Sequence, residues 1–193
     1  MKLRCIVGWI LSGLVATVAH GRIGETRTQC IARYGIAKSE VKLTDNIFDS
    51  VAQYKIDGLS IGAFFVGTKV ECLTFERETQ KEVWTNEAWR EYEIHSLLER
   101  NGGGKKWESL PPDHLLELGK TFEVFHYLDE LMLNRKAKLL SVWATVDQEL
   151  VAVIFANYVG PIETHRLYIR TRRSLERQLT LLKGERLKKL EHF

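Results

Sequence analysis

Cysteine and proline are scarce in this chain of 193 residues, with only 3 of each. Three cysteines are too few for a small scaffold held by disulfides. So little proline, beside 45% hydrophobic and 10% aromatic residues, excludes a collagen-like or disordered chain. Neither charge dominates, at 28 Lys and Arg against 25 Asp and Glu. No apolar run reaches the roughly 20 residues that a helix needs to span a bilayer; the run at 6–19 has 14. What is left is a folded globular chain, long enough for one domain or for two small modules that share a core.

Motifs for catalysis and cofactors are missing as well. Gly102-Gly103-Gly104-Lys105-Lys106 has the look of a phosphate loop, but Glu99 stands where the first Gly belongs and Lys106 where Ser or Thr belongs. Its setting, the end of a helix, is also wrong for nucleotide binding. His95, His114, His126, His165 and His192 are never three to five residues apart, so no metal-ligand spacing exists. There is no Gly-x-Ser-x-Gly elbow and no His-Glu-x-x-His helix. The sequence therefore gives no catalytic, cofactor-binding or metal-binding residues and no cofactor, and the chain reads as a non-enzyme, the distant alternative being an enzyme whose active site is assembled from separated positions.

What is present begins at the N-terminus. Lys2 and Arg4 precede the apolar run, and small residues follow at Ala19 and Gly21. Residues 1–21 read as a signal peptide cut after Ala19 or Gly21, the alternative being a retained anchor. Cleavage leaves 26 basic against 25 acidic residues and no integral transmembrane segment, in a periplasmic or secreted bacterial protein. The remaining charge is unevenly spread. Residues 166–193 hold nine basic and three acidic residues, so the tail is cationic and the body acidic. Arg170, Arg172, Arg173, Lys188 and Lys189 are the candidate contacts to an anionic lipid or polymer, against the plainer reading of a solvated helix. Export excludes nucleic acid as a partner. It also makes Cys30 and Cys72 a candidate disulfide, the alternative being two separate buried thiols.

Periodicity gives an α+β chain built of two helix-plus-antiparallel-meander units and a C-terminal amphipathic basic helix. In the first unit, residues 22–80, Gly24 caps a helix over 25–34, with Cys30, Ile31 and Tyr34 on its stripe and Gly35 at its end. Strands at 50–56, 59–66 and 69–76 follow, split by Asp57-Gly58 and Gly67-Thr68. Strict alternation in the third puts Val70, Cys72 and Thr74 on one face. The second unit, residues 81–160, starts a helix at Thr85 or Asn86 and runs it to Arg100, stopped by Asn101 and the glycines after it. Trp89 and Tyr92 fall off its apolar stripe. Strands are expected at 121–128, 139–145 and 150–157, and residues 161–193 form the basic helix, turning helical from about Thr171 with Leu175, Leu179 and Leu182 on one stripe.

Residues 22–35 (RIGETRTQCIARYG), 62–72 (GAFFVGTKVEC) and 98–104 (LERNGGG) with Trp107 resemble a family of uncharacterised secreted bacterial proteins. That resemblance brings no activity. More loosely, a short helix ending in Tyr-Gly before a meander, repeated, is similar to the modules of small outer-membrane assembly lipoproteins and β-lactamase inhibitor proteins. This chain departs from the first group by lacking a lipidation cysteine. Those modules bind proteins, and the likeness, at the level of the fold, implies a protein-binding module. The candidate anchors on an exposed sheet face are Trp84, Trp89, Trp107 and Trp143, each otherwise an ordinary core residue. The expected partner is another envelope protein.

Overall fold

Local chemistry sets the first helix. The computed structural model describes residues 22–44, 47–77, 89–110, 136–159 and 162–190. The signal segment 1–21, Trp84, the helix start at Thr85 or Asn86, and the strand at 121–128 lie outside the described residues. Thr26 opens α1 (Arg27–Tyr34) with a capping box: its hydroxyl accepts the Gln29 N–H at 3.3 Å, and Gln29 Oε1 accepts the Thr26 N–H at 2.8 Å. Gly24, expected to be the cap, stands two residues upstream at φ 90° and donates its N–H to the Val70 carbonyl at 2.7 Å. It ties the approach to the helix onto a strand instead. Gly35, at φ 80°, closes α1 by donating to the Ile31 carbonyl at 2.9 Å.

Four strands follow: β1 (Ser39–Lys42), β2 (Ser50–Ile56), β3 (Leu59–Val66) and β4 (Lys69–Arg77). Asp57 and Gly58 join β2 to β3 with positive φ at both residues, 48° and 75°. This is the turn geometry that matches the right-handed twist of paired strands. Between Phe64 and Phe65 the β3–β4 register shifts, Phe64 opposing Cys72 and Phe65 opposing Val70, so Glu71 is an extra residue. The bulge turns Val70 to the side of Leu73 and Phe75 and away from Cys72, where strict alternation had placed it.

The second half runs α2 (Glu91–Asn101), β5 (Trp107–Ser109), β6 (Lys136–Thr145), β7 (Leu150–Val159), β8 (Ile162–Thr171) and α3 (Arg172–Leu190). Trp89 and Arg90 precede α2 rather than belonging to it. Its first turn is closed by the Glu93 carboxylate, which accepts the Arg90 N–H at 2.9 Å.

The fold is α+β, and the eight strands among the described residues form one antiparallel sheet in the order β1-β2-β3-β4-β8-β7-β6-β5. Each side of that order is a four-strand meander, and the last strand of each meets the other in the middle, from Cys72 opposite Arg170 to Glu76 opposite Arg166. The boundary expected at residue 161 therefore does not hold. Residues 162–171 are a strand that joins the two halves, and only from Arg172 is the tail helical. In β8, Leu167 and Ile169 enter one core while Tyr168 enters the other and Arg170 shares that second side. Basic residues set among apolar ones mask this period of two.

The sheet buries both faces. On one, Cys30 of α1 and Ile94 and Leu98 of α2 pack over Phe65, Phe75, Leu167 and Ile169, with the small Ala52, Ala63 and Ala152 in the same cluster. On the other, Leu175 of α3 and the Ile47-Phe48 segment cover Val51, Phe64, Cys72, Val153 and Phe155. Each large side chain so buried contributes about 1.5–3 kcal/mol. Polar ties fasten α3: Arg177 donates to the Ile47 carbonyl at 2.8 Å, and Arg170, below the helix, donates to Ser174 Oγ at 3.0 Å and Gln178 Oε1 at 2.7 Å.

Candidate functional site

The residues expected to form one aromatic surface are dispersed. Trp143 is 8% exposed and belongs to the core under α1 and α2. Trp107 is half-buried, and its indole N–H donates to the Leu98 carbonyl at 2.8 Å, plugging the C-terminus of α2. Gly102 is needed there, because a Cβ would stand 2.4 Å from Trp107 Nε1 and 3.0 Å from the Leu98 oxygen. Trp143 and Trp107 are thus core and cap rather than exposed anchors. Trp89 is half-buried and donates to the His165 carbonyl at 3.2 Å.

The other predicted groups are redistributed by the sheet. Cys30 and Cys72 are both free and buried in different cores, on opposite faces, so no disulfide joins them. Burial pushes each thiol up to about 11, with Glu25 adding to the effect at Cys30. Arg170, expected at an anionic surface, is 0% exposed, because the alternation of β8 turns it under α3. Burial draws its guanidinium down to about 10, still charged at neutral pH. Arg172 and Arg173 are exposed at the start of α3, while the side chains of Leu179, Leu182, Lys188 and Lys189 lie outside the described set.

A groove does form at the end of the sheet where Leu59 pairs with Arg77. It encloses about 450 Å³ between the Asp57-Gly58 turn, Leu59 and Arg77 on the sheet and Trp89, Tyr92, Glu93 and Leu97 on and before α2. The Arg77 guanidinium lies 5.2 Å from the centre of the Trp89 ring and is ion-paired to Glu93. Glu93 is held in turn by the Arg90 N–H, and Trp89 by His165, so the stack is braced at both ends. Tyr92 stands on the rim, 65% exposed. Rigid aromatic and guanidinium surfaces around an apolar floor can seat a side chain of a partner without covalent chemistry.

Sequence reading reached Trp89 and Tyr92 through their departure from the helical stripe. It missed Arg77 and Leu59, which reach the groove only through strand register and carry no local mark, and it read Asp57-Gly58 only as a turn. No protein-family model matches this chain, and neither curated proteins nor solved structures give a match.

Proposed function

We propose that this chain is an exported, non-catalytic protein-binding module of the cell envelope that docks a partner protein through the Trp89–Tyr92 groove. The single observation that carries the reading is Tyr92, largely exposed beside a Trp89–Arg77–Glu93 stack that is already ordered. Tyr, Trp and Arg are the side chains that most often dominate binding energy, and a pre-ordered stack loses little entropy when a partner arrives. Docking through the basic tail is the weaker reading. Of its named arginines Arg170 is buried, and Arg172 and Arg173 share their cleft with Asp147, Glu149 and Glu176.

Site-specific photo-crosslinking in intact cells tests the proposal. A benzophenone amino acid at Tyr92 is expected to trap a discrete protein, and the same group at exposed Val146, at the far end of the sheet, is expected to trap none. Equal adducts from both positions, or none from Tyr92, overturn it.

A further inference from the structure

Among the described residues β1 is one border of the sheet and pairs with β2 alone. All four of its residues are exposed, Val41 at 52%, and an open strand border with a β-branched residue on it is a template for further pairing. Its bonding pattern says which groups face outward. The Leu43 N–H donates to the Asp49 carbonyl at 2.9 Å, and in the same register Val41 stands opposite Val51 and Ser39 opposite Gln53. Backbone bonding alternates along an antiparallel strand, so these three residues bond inward to β2, while the N–H and C=O groups of Glu40 and Lys42 point off the sheet. The side chains alternate too. Val41 lies on the side of Val51, at the margin of the second core, and Glu40 lies on the α1 side, where Arg27 Nε donates to its Oε1 at 2.8 Å. Lys42 shares the face of Glu40 and makes no ion pair among the described residues.

A strand added to this border must make its hydrogen-bonded pairs with Glu40 and Lys42. When that strand is β1 of a second copy, running antiparallel, two of the registers that satisfy this rule set Glu40 against Glu40 or Lys42 against Lys42. Like charges so placed repel. The register between them sets Glu40 of each copy opposite Lys42 of the other, and the two Val41 residues then meet on the two-fold axis with Cα atoms about 4.5 Å apart. We infer that this chain forms a symmetric dimer by antiparallel β1–β1 pairing centred on Val41, each Glu40 held between its own Arg27 and Lys42 of the other copy, so that two sheets become one. Five residues a side make a small interface, which sets a dissociation constant on the order of 10–100 µM. The groove at Trp89 draws no residue from β1, so the pairing does not rest on that site.

Sedimentation velocity of the full chain over a range of concentrations, with charge exchange on β1, tests it. Glu40→Lys alone and Lys42→Glu alone are each expected to raise the dissociation constant about tenfold, because each sets like charges opposite across the axis. An equal mixture of the two variants is expected to return to the parent value, since every cation then faces an anion again. Both changes are on exposed side chains, and the mixture separates lost pairing from a lost fold. Thiol linkage reads the register. Val41→Cys is expected to give a disulfide-linked dimer on mild oxidation, whereas Ser39→Cys, whose copies stand about 13 Å apart along the strand, stays at the level of the parent. A chain that is monomeric up to about 1 mM, a mixture no tighter than either variant alone, or Ser39→Cys linking as readily as Val41→Cys overturns the inference.

Discussion

Arg170 carries a full charge where water does not reach, and a hydroxyl and an amide of α3 take two of its donors. Desolvating a guanidinium is expensive, so the arrangement holds only while those acceptors stay in place. Arg170→Ala is expected to cost about 3 kcal/mol, because it takes a charged donor from both Gln178 and Ser174 and leaves a cavity. The pair Arg170→Met with Gln178→Leu should cost less than the sum of the two single changes, as both polar partners leave together. Urea unfolding of the four proteins checks it, and additive costs would show that the two side chains do not act as a unit. At this scale the sequence was a poor guide. The identity of Arg170 suggested a surface, whereas its burial follows from a neighbour in β8 and a helix one step later, neither of which its residue type records. Cys30 and Cys72 fared likewise, since only the sheet between them decides that they never meet.

The β6–β7 turn shows how an element can be held by charge at the surface. Asp147 bonds to Lys105 across the cleft, accepts the Thr145 hydroxyl at 2.6 Å and accepts the Glu149 N–H at 3.1 Å. These bonds, Lys105 first, hold its carboxyl at about 2, below the ordinary 3.8. A carboxylate depressed in the folded state stabilises it fully above the unfolded value and loses that contribution as pH falls through the folded one. Asp147→Asn should therefore lower the urea midpoint at pH 6, with the gap to the parent closing between about pH 4 and pH 2. A gap that persists at pH 2 would assign the loss to packing. Among the elements, β2, β3 and β4 were legible because apolar alternation and short turns mark them. β1 and β5 were not: four exposed residues and a three-residue strand carry no periodicity, and both lie at sheet edges where pairing alone defines them. Half of the groove shared that fate, because Arg77 and Leu59 meet Trp89 only once register is set.

Across the whole molecule, the two meanders are one body because β4 and β8 pair at its centre. Removing residues 160–193 takes away β8 and α3 together, opening the inner edges of β4 and β7 and uncovering both cores. That shortened chain is expected to aggregate rather than to persist as a folded first half. Size-exclusion chromatography with circular dichroism distinguishes the outcomes, and a monodisperse, sheet-rich product would show that the halves fold independently. The Glu76–Arg166 ion pair on the central seam links residues 90 apart in the chain, and strand β4 is complete long before its partner exists. A nascent chain thus leaves the ribosome with a sticky, hydrogen-bond-hungry border that stays open for the time taken to add the intervening residues. The pace of translation over that interval, and any chaperone that shields the border meanwhile, then governs the yield of native protein as much as the stability of the finished fold does.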